Sequence, residues 1–119
     1  MKCNKLRLFL ITNILFFFLS LFINKQYKIN FKNLLPIFCK LVNEGKNFKK
    51  ELIKIKKAVS LGNKLNLEVH AGHGLTYSSA KILSKIKGIK EFNIGHFLIG
   101  ESIFVGLEKT IKHFRKIIR

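Results

Sequence analysis

The sequence has few acidic residues, and this shortage limits the kinds of site that it can build. Asp and Glu total 6 against 23 Lys and Arg, so the formal net charge is +17 over 119 residues. The lysines are spread from end to end, with no arginine-rich arm and no aromatic platform for stacking bases, and charge alone supplies only nonspecific attraction to nucleic acid. We therefore expect no nucleic-acid partner, whereas small phosphorylated ligands would gain from the positive field.

Cysteine is also scarce. Cys3 and Cys39 lack the CxxC spacing of a zinc or redox site, and an intracellular compartment normally keeps such a pair reduced. Since no acidic cluster adds further ligands, we predict no bound metal.

The sequence lacks an uninterrupted run long enough to span a membrane. The apolar stretch Leu8–Ile23 follows a basic start, but Thr12, Asn13 and Ser20 interrupt it. It is also shorter than the roughly 18 to 20 apolar residues of a spanning helix. Its layout is that of a signal peptide or anchor, while its β-branched and aromatic content also suits one or two buried strands. Residues 1–24 are thus predicted to be a remnant strand or an anchor.

The remainder divides into an irregular part and a regular part. Residues 25–43 contain the lone Pro36 and no clean period, which predicts an irregular connection. Residues 44–119 show the order helix, strand, helix, strand, helix, with strands at Leu67–Ala71 and Glu91–Gly95. The helices are predicted at about 44–65 with Gly62 as C-cap, from Ser78 or Ser79 to Gly88, and from about Glu101 to Ile118. The apolar helix faces comprise Phe48, Leu52, Ile55 and Val59, and then Leu107, Ile111, Phe114 and Ile118.

This order of elements indicates the fold class. Strands that alternate with helices over short links imply parallel pairing. Two strands and three helices do not complete a sheet, and the chain is far shorter than the roughly 250 residues of a closed eight-stranded barrel. We predict an α/β fold: a partial (β/α) barrel of the TIM type formed by C-terminal strands and helices, or a small piece of an open sheet, with an apolar N-terminal segment. In both architectures ligands bind at the C-terminal ends of the strands.

Both predicted strands run into glycine and histidine, as "AGHG" and "NIGH". Glycine lets backbone N–H groups approach an anion, and such loops commonly bind phosphate beside a helix N-terminus, although each glycine alone is also a common turn residue. The glycines concerned are Gly72 and Gly74, and then Gly95 and Gly100. His73 lies between two of them with little to pack against, which favours a proton-transfer or ligand role. His96 is its natural companion.

Three other side chains are weighed as supporting or solvated groups. His70 lies within a strand and is predicted to be a core or hydrogen-bonded supporting residue, with Glu68 as a carboxylate partner in the sheet interior. His113 lies on a basic helix and is expected to be solvated. His70 and His73 form an HxxH pair, but on a strand that spacing directs the rings to opposite faces, so a zinc site is not expected.

At "LEVHAGHGLTY" and "IKEFNIGHFLIGESIFVGLEKTI" the sequence resembles the C-terminal part of pyridoxine 5'-phosphate synthase, a (β/α) barrel enzyme of de novo vitamin B6 synthesis. Both motifs occur in the family's order and separation, and the resemblance runs from about Lys46 to Arg119. A weaker echo at Leu19–Asn24 resembles an earlier barrel strand.

The resemblance implies a reaction and roles for four residues. The family condenses 3-amino-2-oxopropyl phosphate with 1-deoxy-D-xylulose 5-phosphate, releasing inorganic phosphate and water without a redox cofactor. On this basis His73 is the proton donor, and Gly74, Gly95 and His96 bind the aminoketone phosphate. A cytoplasmic homo-oligomer is the corresponding expectation for location and assembly.

The sequence departs from the family in its N-terminal half. The family takes a second histidine and a glutamate as proton acceptors from that half, and these have no equivalents here. "LLPIF" also replaces an expected "HTG" strand end. We therefore interpret the chain as a truncated copy that lacks the first barrel strands and carries part of the active site. The alternative hypothesis is a small basic membrane-anchored protein without catalysis, in which Leu8–Ile23 inserts.

Overall fold

The computed structural model describes residues 5–7 and 31–118. The apolar stretch Leu8–Ile23 and the echo at Leu19–Asn24 lie outside the described residues. The elements in chain order are β1 (Lys5–Arg7), α1 (Phe31–Asn43), α2 (Lys49–Lys64), β2 (Val69–Gly72), α3 (Tyr77–Leu83), β3 (Ile89–Asn93), α4 (His96–Val105) and α5 (Leu107–Ile118).

The strands form one parallel sheet in the order β1-β3-β2. Both strands predicted from the regular part are present. β2 begins two residues later than predicted, and β3 begins and ends two residues earlier than predicted. Arg7 and Gly72 pair with Asn93 from opposite sides. β1 pairs with β3 at one edge of this sheet. The partial-barrel prediction is confirmed.

One apolar core lies between the sheet and the helices. Ala71 and Phe92, which are paired across β2 and β3, are both buried and point to the same face because neighbouring parallel strands alternate in phase. The helices complete this core with Phe38, Cys39, Ile55, Val59, Leu83, Leu98, Phe114 and Ile118. The helices therefore cover the sheet face opposite to the one that carries His70 and Glu91.

Helix α1 replaces the irregular connection predicted from the sequence. Pro36 lies inside this helix, where it removes one backbone donor and normally weakens or kinks the helix. Phe38 and Cys39 are 0% and 2% exposed, so their burial offsets the proline. A short-range pattern cannot reveal this gain, because it arises only when other helices pack against α1 in the folded chain. The boundary at residue 44 stays a prediction.

Helix α2 confirms the predicted apolar face but not the predicted C-cap. Ile55 and Val59 are buried, while Phe48 and Leu52 pack against the core from its margin. Gly62 lies within the helix, and a Cβ on it would stand 2.7 Å from Val69 Cγ2. Gly62 therefore allows α2 to lie directly on β2, and the helix ends two residues later.

The last predicted helix is two helices, α4 and α5, separated by Gly106 at φ +90°. Phe114 and Ile118 are buried as expected, but Leu107 is 46% exposed, because the break at Gly106 starts a new helix with a different orientation of its first turn. The preceding helix α3 begins at Tyr77 rather than at Ser78 or Ser79. It ends at Leu83, and turns connect it to Gly88.

Within residues 5–7 and 31–118, no helix combines the length and apolar character that crossing a bilayer requires.

We predict that Gly88→Ala lowers the free energy of unfolding by about 3 kcal/mol, since it combines backbone strain with overpacking. Gly88 has φ +110°, and a Cβ there would overlap the Asn63 side chain and lie 3.1 Å from Val59 Cγ1. Gly45→Ala is the matched control, because Gly45 has φ +66° but no neighbour within 4 Å. We expect a loss of about 1 kcal/mol for the control. Urea denaturation measures both, and equal losses would show that the contact with α2 contributes nothing.

Candidate active site

The two glycine-histidine loops begin at the same edge of the sheet. Gly72 is the last residue of β2 and pairs with Asn93, the last residue of β3. Because the strands are parallel, the chain leaves both of them in the same direction, and His73 and His96 follow within three residues of these ends. Both motifs therefore leave the sheet at the same edge.

The first loop has an uncommon backbone. His73 and Gly74 have φ of +79° and +75°, in the left-handed region that non-glycine residues rarely occupy and that costs about 1 kcal/mol or more. Both residues are exposed. Such strain is concentrated at functional sites, where surrounding contacts maintain it. The turn therefore displays the imidazole of His73 at the surface instead of packing it.

Side chains behind this turn keep it in place. Cys39 Sγ in α1 donates a weak hydrogen bond of 3.8 Å to the His73 carbonyl oxygen. The Thr76 N–H donates to Ser79 Oγ at 2.8 Å, and Thr76 Oγ1 donates to Asn43 Oδ1 at the end of α1, also at 2.8 Å. The turn is thus tied to both α1 and α3.

Cys39 is a supporting residue that the sequence reasoning missed. Burial raises the pKa of its thiol, and a hydrogen bond with Ser79 partly opposes that shift. The thiol form therefore prevails near neutral pH, which allows Sγ to act as a donor toward the turn. No motif marks Cys39, and only its place on a buried helix face would have drawn attention to it.

The second loop leads directly into a helix. Ile94 is buried, Gly95 and His96 are exposed, and α4 begins at His96. The Ile99 N–H donates to the Gly95 carbonyl oxygen at 3.0 Å. The N–H groups of the first helical residues therefore lie before the first i to i−4 hydrogen bond of the helix. Unpaired N–H groups at a helix N-terminus attract anions. Gly100 lies inside α4, and its prediction as a strand-end glycine is wrong.

His70 lies between two carboxylates on the sheet face opposite the core. Its Nε2 is 3.5 Å from Glu68 Oε2, and its Nδ1 is 3.9 Å from Glu91 Oε1. The Glu68 side chain is 79% exposed and the Glu91 side chain 10% exposed. The interior carboxylate is thus Glu91, which the sequence reasoning missed, and the placement of Glu68 in the sheet interior is wrong. Pairing the alternating positions of the two strands would have indicated Glu91.

His113 is exposed on α5, as the sequence suggested, and it also makes a ring contact. Its ring stacks on Tyr77, with centroids 4.0 Å apart and an interplanar angle of 21°. The described residues include no group of three or more His, Cys, Asp or Glu side chains that could bind a metal ion.

Parallel strands that alternate with helices, with a glycine-histidine loop at the end of each of two strands, place the chain in the class of (β/α) barrel proteins. The model of the family described as "Pyridoxal phosphate biosynthesis protein PdxJ" matches residues 36–119. The chain belongs to this family.

Individual relatives show the same similarity over part of their length. The chain is 61% identical over 77 residues to the pyridoxine 5'-phosphate synthase of Pelagibacter ubique (strain HTCC1062), which covers 65% of this chain and 32% of that protein. It is 54% identical over 68 residues to the enzyme of the same name from Zymomonas mobilis, covering 57% and 27% respectively. For Citrifermentans bemidjiense the identity is 47% over 79 residues, covering 64% and 33%. The alignments thus span about a third of the length of these relatives.

We predict that Ser79→Ala loosens the His73 turn without unfolding the chain. Ser79 is fully buried and accepts the Thr76 N–H, so its loss should cost about 1 kcal/mol of stability. Hydrogen exchange of the Thr76 amide should accelerate. Ser78→Ala is the control, because Ser78 is an exposed neighbour on the same helix. Unchanged exchange in Ser79→Ala would show that Cys39 and Asn43 suffice to maintain the turn.

Proposed function

We propose that this chain carries the phosphate-binding and proton-donating part of a pyridoxine 5'-phosphate synthase site. The reaction would condense 3-amino-2-oxopropyl phosphate with 1-deoxy-D-xylulose 5-phosphate in de novo vitamin B6 biosynthesis, a transferase reaction without a cofactor. One observation carries the proposal: two glycine-histidine loops leave adjacent parallel strands at the same sheet edge. The family membership and the names of the relatives support the choice of reaction.

The second loop would bind the phosphate of the aminoketone. Gly95 precedes the N-terminus of α4, where an anion would lie beside the N–H groups of His96 and its neighbours. Gly74 would contribute from the first loop, where it has a positive φ of +75°. A phosphate held between the loops would position the rest of the substrate near His73.

His73 would donate the proton. A condensation between an amine and a carbonyl compound releases water, and the departing oxygen needs a proton at that step. An exposed imidazole at the strand ends suits this role because histidine exchanges protons near neutral pH. His70, which lies between Glu68 and Glu91, would support the sheet beneath the site and not contact the substrate.

The chain would provide only part of the site. It spans about a third of the length of the relatives it matches, and the family's proton acceptors come from the other half. Ile103 and Phe104 on α4 are 78% and 86% exposed, and apolar surface of this kind favours assembly. We propose a cytoplasmic homo-oligomer with phosphorylated small molecules as its ligands. Within each chain we propose boundaries near residues 24 and 43, with α1 packed on the part that follows it.

We predict weak catalysis by the isolated chain. General acid–base groups typically contribute about 10² to 10⁴ in rate, so the missing acceptors should lower pyridoxine 5'-phosphate formation at least 100-fold relative to a full-length relative. His73→Ala should remove the remaining turnover. Product formation from both phosphorylated substrates measures this. Turnover equal to that of a full-length relative would show that these 119 residues supply the acceptors themselves.

We predict that Gly74→Ala weakens binding of inorganic phosphate at least 10-fold, because alanine disfavours φ +75° and would displace the turn. Gly106→Ala is the control, since Gly106 also carries a positive φ, +90°, and has no neighbour within 4 Å, but it follows α4 at the end away from the second loop. Isothermal titration of each variant gives the affinities. Equal affinities for wild type and Gly74→Ala would remove the first loop from the phosphate site.

A further inference from the structure

A surface groove lies at the other end of the strands from the candidate active site. It runs between the C-terminal half of α2 and the segment that precedes β3, with a volume of about 550 Å³. This size is within the range of small-molecule sites. The residues that line it are Lys56, Val59, Ser60, Asn63, Lys64, Lys85, Ile86 and Lys87. Since these residues precede β2 and β3, the groove lies at the N-terminal ends of both strands.

The two walls of the groove are in direct contact at Gly88. The absence of a side chain there lets the segment before β3 lie against the Asn63 amide and Val59 of α2. Val59 is 4% exposed and joins the groove to the core. The shape of the groove therefore follows from packing between two elements, and is not set only by mobile side chains at the surface.

The groove is strongly cationic. Four of its eight lining residues are lysines and none is acidic. None of these four lysines forms an ion pair with a carboxylate in the part of the chain that the structure describes. By contrast, Lys54, which lies on α2 outside the groove, is 3.2 Å from Glu51 Oε1. Like charges around one groove repel each other, and an anion with several charges would relieve this repulsion.

The end of α2 does not cancel this positive field. Helix C-termini carry partial negative charge on unpaired carbonyl oxygens. Here the carbonyl oxygens of Leu61, Gly62 and Asn63 accept N–H donors from the three residues that follow the helix, at 2.9 to 3.1 Å. The groove thus combines ammonium groups, the hydroxyl of Ser60 and the amide of Asn63 with the half-buried apolar side chain of Ile86.

We propose that this groove binds a nucleoside polyphosphate. Several phosphates would match the lysine ammonium groups, and the nucleoside would pack on Ile86 and on the aliphatic stems of the lysines, while Ser60 and Asn63 supply hydrogen bonds. A nucleic acid is a weaker match, because the groove is short and lacks an exposed aromatic side chain for base stacking. The site is separate from the strand-end loops, so this proposal does not depend on the enzymatic one.

The test is isothermal titration of the full chain with ATP, at 50 and 150 mM NaCl and without magnesium. We expect saturable one-to-one binding that weakens with salt. The double variant Lys64→Gln/Lys85→Gln should bind about 10-fold more weakly, since it removes one ammonium group from each wall. Lys49→Gln/Lys50→Gln is the control, because it changes net charge equally at exposed positions outside the groove and should alter affinity less than twofold.

Three comparisons decide between explanations. His96→Ala should leave ATP binding unchanged, and loss of binding would assign ATP to the strand-end loops and overturn the proposal. Inorganic triphosphate should bind more weakly than ATP, and equal affinity would exclude recognition of the nucleoside. Tighter binding of a 12-nucleotide single-stranded DNA, with the same dependence on Lys64 and Lys85, would assign the groove to nucleic acid. Equal weakening of ATP binding by both double variants, or no saturable binding, would show that the groove attracts anions only through general surface charge and would overturn the proposal.

Discussion

The parallel pairing of β2 with β3 is the constraint on which the candidate site depends. Gly72 and Asn93 are partners in this pairing, and the approach is so close that a Cβ on Gly72 would stand 3.2 Å from Asn93 Cβ. The same register sets His70 opposite Glu91 and Ala71 opposite Phe92. A slip by one residue would exchange the two faces of β2 and separate these pairs. One register therefore sets the core, the supporting carboxylate and the meeting of the two loops.

Helix α1 connects the core to this site. Phe38 fills the core, Cys39 donates to the His73 carbonyl oxygen, and Asn43 accepts from Thr76. The strained turn at His73 is thus supported from behind by a helix that lies more than thirty residues earlier in the chain. A left-handed histidine conformation persists only where such contacts outweigh its cost, which explains why the turn and the helix belong to one structural unit.

The high lysine content indicates a binding site only where the fold brings several lysines together. Spread along the chain, the lysines resemble the solvated surface of any basic protein. The fold gathers four of them around one groove that has no acidic residue, at the end of the strands opposite the glycine-histidine loops. Exposed Ile103 and Phe104 lie elsewhere, on α4. The same partial barrel thus presents three chemically distinct surfaces.

The sequence alone determined the α/β class, the two strands of the regular part and the glycine-histidine motifs at their ends, because these depend on local periodicity and on residues adjacent in the chain. It did not determine helix α1, where burial of Phe38 outweighs Pro36, or the break between α4 and α5 at Gly106. It also missed Cys39 and Glu91, and it assigned Gly62 to a helix cap instead of a close contact with Val69. Only the tertiary structure decided these, because each depends on a neighbour that is brought close by folding.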